Sequence, residues 1–182
     1  APSALAGLQG QLQALVEQRR GLVDLRVKIT NQLTANLKGY FPQAFDCFDA
    51  LESVVACDFL TRWSSLGDAK RAKEATLTAF YHQHNVRGRA RIAERIRMLK
   101  QAQPLTTDAG VLLPAMLLTT TLVAQLRTLL ASIEHYDESI AKAFHAHPDH
   151  AIFESLPGAG EVLAPALLYK FGDHRDRFPS PA

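Results

Sequence analysis

Apolar residues recur along the first part of the chain at spacings of three, four and seven. That spacing is the period of an amphipathic α-helix, and over about thirty residues it is typical of a coiled-coil arm. The stripe begins at Leu5 and continues to Leu37. Gly39 and Pro42 follow its last apolar position, which is where helices commonly end. The pattern therefore predicts one long N-terminal helix.

A second long apolar stripe lies in the C-terminal half of the chain. Thr107 or Asp108 is a suitable N-cap for it, and it continues to about His147 before Pro148 ends it. Residues 109–126 carry no charge, but they include Pro114 and a central run of threonines, and no aromatic belt flanks them. We therefore expect a buried or coiled-coil helix and no membrane span.

Between the two stripes the sequence predicts short helices. Their expected ranges are Gln43 to Ala50, Ser53 to Ser64, Asp68 to about His82, and a basic helix from about Arg89 to Gln103. No alternating strand pattern is longer than three residues. The predicted fold is all-α: two long antiparallel coiled-coil-like helices, with the short helices at the far turn.

Pro148 marks the one expected domain boundary. Residues 1–147 would form a helical coiled-coil region, and residues 148–182 would begin a second domain. The second segment contains Leu156-Pro157-Gly158-Ala159-Gly160 and, after it, a predicted helix from Glu161 to about Phe171 that includes Ala164. This is the form of a helix-hairpin-helix turn.

The two glycines of this turn, Gly158 and Gly160, are candidate nucleic-acid contacts. They would expose backbone amides at a helix N-terminus, where a phosphate oxygen is favoured. Such contacts hold a nucleic-acid backbone without reading its sequence. The alternative is an ordinary tight turn between helices. The following helix has few cations, and Pro165 is expected to distort its first turns.

Positive charge is concentrated in the middle of the chain. Between Arg62 and Lys100 there are ten basic residues and three acidic ones, whereas from Ser132 onward there are eight acidic residues and four basic ones. A polyanion would therefore meet the middle of the chain.

The basic helix supplies the other candidate contacts with phosphates. These are Arg87, Arg89, Arg91, Arg95, Arg97 and Lys100. Arg91 and Arg95 would share one helix face. Substituting these two arginines is expected to weaken nucleic-acid binding uniformly and to flatten its salt dependence. The alternative is a solvated helix face, which is what most charge runs are.

No pattern in the chain predicts catalysis or a metal site. His-x-His places two rings on different helix faces, and the histidines near Pro148 are expected to interact with the carbonyls that end the helix. The acidic residues are scattered, and no nucleophile stands beside a base. Two cysteines without a second pair favour a reduced, cytoplasmic setting.

Three stretches together resemble the insertion-sequence transposases of the IS-one-ten group. They are Arg19-Arg20-Gly21-Leu22-Val23 with Ile29-Thr30-Asn31-Gln32-Leu33, Leu37 and Phe41-Pro42; the long connecting helical region; and the Leu156–Gly160 turn with Ala164, Gly172-Asp173, Arg177-Phe178 and Ser180. The resemblance covers nearly the whole chain, and the last stretch is the most specific.

The resemblance implies a DNA transposase or recombinase that cleaves and rejoins strands. In that family a metal-binding carboxylate set precedes a helical assembly insert, and a nucleophilic serine lies downstream of the glycine turn. By that map this chain is an internal fragment without catalytic residues, inactive alone, with no cofactor of its own and Mg²⁺ in the intact enzyme. The implied partners are DNA, a guide RNA as a further candidate, and a second copy of the chain. The alternative is a non-enzymatic helical protein that only dimerises.

Overall fold

In a computed structural model that describes residues 4–171, the chain consists of helices and short connections. The helices are α1 (Ala4–Lys38), a 3₁₀ helix (Pro42–Asp46), α2 (Val54–Arg62), α3 (Leu66–Arg71), α4 (Glu74–Gln83), α5 (Arg89–Gln101), α6 (Ala109–His145), α7 (His150–Glu154) and α8 (Gly160–Phe171). The predicted all-α class is confirmed. Gly172-Asp173, Arg177-Phe178 and Ser180 lie outside the described residues.

The long helices begin and end close to their predicted bounds. At the start of α6, the Asp108 carboxylate accepts a hydrogen bond from the amide of Gly110 at 2.8 Å, which satisfies a donor of the first turn. Between α3 and α4 the prediction was wrong. Ser65 caps α3, its hydroxyl oxygen accepting from the amide of Asp68 at 3.1 Å, and the chain is extended at Ala72.

The chain divides into two compact units. Unit 1 comprises Ala1–Asp24 and Ala131–Ala182, and unit 2 comprises Leu25–Leu130. In unit 1 the buried residues of α1, α6, α8 and the turn before α8 form one cluster: Leu12, Ile140, Ala143, Phe144, Ala159, Ala164 and Leu168. Residues on both sides of Pro148 therefore share one core. A functional boundary at residue 148 stays a prediction.

Unit 2 is centred on an aromatic cluster. The Phe59 ring lies 5.0 Å from that of Phe48 and 4.9 Å from that of Trp63, and the Phe80 ring of α4 lies 5.2 Å from Trp63. Edge-on and tilted pairs at these distances stabilise a core beyond the area they bury. The short helices thus form a packed body that holds α5 in place.

A buried polar network joins α1 and α6 inside unit 2. Thr119 is fully buried, and its hydroxyl lies 2.8 Å from Tyr40 Oη and 2.9 Å from Asn36 Nδ2. Asn36 also donates to the carbonyl of Ala115 at 2.8 Å. Because these groups satisfy one another, the uncharged half of α6 can carry a polar residue on its packed face.

Candidate nucleic-acid interface

Helix α5 begins at a glycine that its backbone requires. Gly88 has φ of +100°, a left-handed conformation that side chains other than glycine adopt only with strain. This left-handed residue lies between Arg87 and Arg89, directly before the first residue of α5. Ile92, Ile96 and Leu99 are buried and fix the inner face of the helix.

Three arginines at this end of α5 are exposed, and we call them the arginine group: Arg87, Arg89 and Arg91. Among the described residues, Arg87 and Arg89 take part in no salt bridge. The Arg91 guanidinium lies 3.7 Å from the Asp49 carboxylate, with its side chain 63% exposed. The arginine group is therefore available to an anionic ligand.

Arg95 must be removed from the set of phosphate contacts predicted from the sequence. The residue is buried, and its guanidinium donates to the Asp49 carboxylate at 2.6 Å. Its Cζ atom also lies 5.9 Å from the centre of the Tyr81 ring. A buried guanidinium has to be paired, and Asp49 pairs it. Arg95 holds α5 against the rest of unit 2.

Arg97 and Lys100 are also engaged within the protein. Arg97 is exposed, but it donates to both carboxylate oxygens of Glu94 and, at 2.6 Å, to the side-chain oxygen of Gln101. These hydrogen bonds hold the pKa of Glu94 below its ordinary value. Lys100 Nζ donates to the carbonyl of Lys70 at 2.6 Å and to that of Ala72. Neither cation is as accessible as the arginine group.

The predicted glycine turn lies between α7 and α8. Gly158 has φ of +79° and Gly160 φ of +38°, and both residues are exposed. The amide of Ala164 donates to the carbonyl of Ala159 at 2.7 Å, one residue farther back than in an α-helix. This widened turn comes directly before Pro165, so the first turns of α8 depart from regular geometry as predicted.

The surroundings of this turn are acidic. A groove of about 490 Å³ in unit 1 is lined in part by Gly160 and by five carboxylates: Glu134, Asp137, Glu138, Glu154 and Glu161. A phosphate at the N-terminus of α8 would be repelled by these charges. The geometry of the turn suits a phosphate, but the negative charge around it does not. The arginine group is therefore the more favourable of the two for binding a phosphate.

The histidines near Pro148 contact the backbone that ends α6, as expected. A ring nitrogen of His145 lies 2.8 Å from the carbonyl of Ala141, and one of His150 lies 2.8 Å from the carbonyl of His147. Among residues 4–171, no three His, Cys, Asp or Glu side chains are grouped to hold a metal ion.

By its fold and surface the chain is an all-α protein whose basic helix, α5, has exposed arginines at one end. A protein of Streptomyces clavuligerus named for the insertion element IS116, of 44.8 kDa, is 27% identical to the chain over 166 residues. This similarity confirms the resemblance to insertion-element proteins. The match covers 89% of this chain and 40% of that protein, so the chain spans about two fifths of its relative's length. No protein-family model and no solved structure matches the chain.

Proposed function

We propose that the chain is the helical part of an insertion-element transposase, and that it contacts nucleic-acid backbones through the arginine group. The observation that carries the proposal is the exposure of Arg87, Arg89 and Arg91 at one end of α5; within the described part of the chain, Arg91 is the one of the three that takes part in a salt bridge. Phosphate contacts from arginine supply most of the sequence-independent affinity for DNA. The similarity to an insertion-element protein supports DNA as the principal partner and leaves a guide RNA as a further candidate.

In the intact protein we propose strand cleavage and rejoining at a Mg²⁺ site built by residues outside this chain. The described carboxylates support this division, since Asp49 and Asp137 are paired with arginines, and no three His, Cys, Asp or Glu side chains among residues 4–171 are grouped to hold a metal ion. A two-metal phosphodiester site needs several converging carboxylates. We propose a cytoplasmic location, as a transposase reaches DNA there.

The experiment that tests the proposal compares affinity for a labelled DNA duplex of arbitrary sequence by fluorescence anisotropy. A variant carrying Arg87→Gln, Arg89→Gln and Arg91→Gln should bind at least about tenfold more weakly at moderate salt. The matched control removes the same charge elsewhere, with Arg20→Gln, Lys28→Gln and Lys38→Gln, and should bind nearly as well as the unaltered chain. Equal affinities for both variants would remove the arginine group from the interface.

A role in assembly has its own support on α6. Leu113 is 68% and Leu117 70% exposed, and only 22% of the most apolar 18-residue window of this helix is buried. Within residues 4–171, α6 is also the one helix long and apolar enough to cross a membrane by length and composition. Core helices of soluble proteins share those two properties.

We propose a second copy of the chain as the partner of this face. Leu113, Leu117, Thr120 and Ala124 follow the three-four spacing of a coiled-coil seam, and all are exposed. No charge interrupts residues 109–126. The hydroxyls of Thr120 and Thr121 already donate to backbone carbonyls one turn earlier, at 2.6 and 2.9 Å, so burying them leaves no donor unpaired.

A further inference from the structure

The connection between α4 and α5 carries Arg87 and is built as a defined turn. At the end of α4 the amide of Val86 donates to the carbonyl of Tyr81 at 3.0 Å, and the amide of Asn85 donates to that of His82 at 3.0 Å. This pair of hydrogen bonds is the Schellman motif, in which the residue after the C-cap adopts a left-handed conformation. Asn85 is that residue, with φ of +57°. The backbone path out of α4 therefore depends on the residue at this position.

Asparagine suits this position for a reason that lies in its backbone. Left-handed backbone is uncommon for residues other than glycine, asparagine is several-fold enriched in it, and for a β-branched residue it is a genuine outlier. Among the described residues, Asn85 is the one residue other than glycine with positive φ. It is exposed, so packing around the side chain does not select it. The turn selects asparagine.

A second left-handed residue follows three positions later. Gly88 has φ of +100°, and a Cβ atom there would lie 3.8 Å from that of Arg91, an ordinary contact. The conformation of the backbone, and not a lack of space, therefore requires glycine at this position. Arg87 lies between the two left-handed residues and takes part in no salt bridge within the described part of the chain. Its position relative to Arg89 and Arg91 is thus set by the backbone of the connection.

The helices on either side confine a rearrangement to this connection. Phe80 and Tyr81 of α4 are buried, and so is Ile92 of α5. Arg95 of α5 donates to the Asp49 carboxylate at 2.6 Å. Because these contacts hold both helices in unit 2, a change of conformation at position 85 moves the connection and the arginine on it, while the start of α5 stays in place.

We propose that Asn85 is a positioning residue for phosphate binding. Its left-handed conformation places Arg87 where it contacts the same nucleic-acid backbone as Arg89 and Arg91. The proposal rests on the proposed function, because it concerns the phosphate contacts of the arginine group. Asn85 acts through Arg87 and carries no charge itself. A connection that already has its binding conformation costs less to order on binding, so losing that conformation lowers affinity without removing a charge.

The test measures the affinity of the full chain for the labelled DNA duplex, and its salt dependence, by fluorescence anisotropy. Asn85→Val disfavours the left-handed conformation and should weaken binding about threefold, with a salt slope shallower by about 0.9, the equivalent of one phosphate contact. Asn85→Gly adopts that conformation freely and should keep both values. Asn31→Val, at an exposed asparagine of α1, is the matched control and should keep them too.

A double substitution shows whether Asn85 acts through Arg87. In the Arg87→Gln background, Asn85→Val should change neither affinity nor salt slope further, since the contact is already absent. An equal loss in both backgrounds, or no loss from Asn85→Val alone, overturns the positioning role. If Asn85→Val lacks the helical circular dichroism of the unaltered chain, Asn85→Ala strains the same conformation less and is held to the same expectations.

These outcomes are distinct from a failure of the proposed function. If the Arg87→Gln, Arg89→Gln, Arg91→Gln variant binds the duplex as tightly as the unaltered chain, the proposed function and the positioning role both fail. If that variant binds weakly while Asn85→Val binds normally, the positioning role alone fails.

Discussion

Arg91 and Arg95 lie one turn apart on α5 and both approach Asp49, at 3.7 and 2.6 Å, yet they have different roles. The Arg95 side chain is only 9% exposed, so its charge must be neutralised inside the protein. The Arg91 side chain keeps most of its surface in solvent, where an ion pair is weak and easily exchanged for a phosphate. Burial decides which cation serves the fold and which serves a ligand.

Two buried thiols make the stability of the fold sensitive to alkaline pH. Burial raises the pKa of Cys47 from 9.0 to about 12 and that of Cys57 from 9.0 to about 11. In the unfolded chain the thiols ionise near pH 9, while the folded chain keeps them protonated. The free energy of unfolding should therefore fall as pH rises above about 9, by up to about 1.4 kcal/mol per pH unit for each thiol.

Urea denaturation at pH 8 and pH 10 measures this loss. A Cys47→Ala, Cys57→Ala variant should have a lower free energy of unfolding at pH 8, because the smaller side chains leave cavities. It should nevertheless lose less stability between the two pH values than the unaltered chain does. An equal loss in both proteins would show that the thiols do not control the alkaline transition.

At the scale of elements, α3 and α5 cap each other's C-termini. Lys70 Nζ of α3 donates to the carbonyl of Ala102, at the end of α5, at 2.6 Å. Lys100 Nζ of α5 donates in return to the carbonyls of Lys70 and Ala72, at the end of α3. A cation at a helix C-terminus satisfies unpaired carbonyls and interacts favourably with the helix dipole.

Removing one of these caps should destabilise unit 2. Lys100→Met keeps most of the side chain but leaves the carbonyls at the end of α3 unpaired, and it should lower the free energy of unfolding by about 1–2 kcal/mol. Lys73→Met, at an exposed lysine just beyond the same helix, is the control and should change it by less than about 0.5 kcal/mol. Comparable losses in the two variants would contradict the capping role.

The helical spacing of apolar residues predicted the long helices well, and their ends were predictable because Gly and Pro are local signals. Gly39 follows α1, Pro104 follows α5 and Pro148 follows α6. The break between α3 and α4 was missed. The start of α3 was also misplaced: its N-cap is Ser65, whereas the predicted helix began at Asp68, which lies inside α3. A serine three residues before an acidic residue is the signal that could have located it.

The candidate site was only partly predictable for a different reason. The basic run identified α5, but nothing local separates Arg95 from Arg91, since their difference depends on Asp49 and Tyr81 far away in sequence. Contacts of this kind follow from packing, which a single sequence does not display.

At the scale of the whole molecule, the exposed apolar face of α6 predicts self-association. Light scattering after size exclusion should give twice the mass of one chain, and Leu113→Glu with Leu117→Glu should return it to a single chain. Val54→Glu changes another exposed apolar residue and is the control, which should remain a dimer. A single-chain mass for the unaltered protein at all concentrations would contradict the dimer. If the unaltered protein binds neutral vesicles and the variant with both leucines replaced does not, the face would be assigned to a membrane.

The central claim is that the arginine group neutralises phosphates, and the salt dependence of DNA affinity measures this most directly. For duplex DNA, the logarithm of the affinity falls with the logarithm of salt concentration by about 0.9 per phosphate contact. The Arg87→Gln, Arg89→Gln, Arg91→Gln variant should therefore have a slope shallower by about 2–3 than that of the unaltered chain. Identical slopes, or an affinity that does not change with salt, would contradict the account.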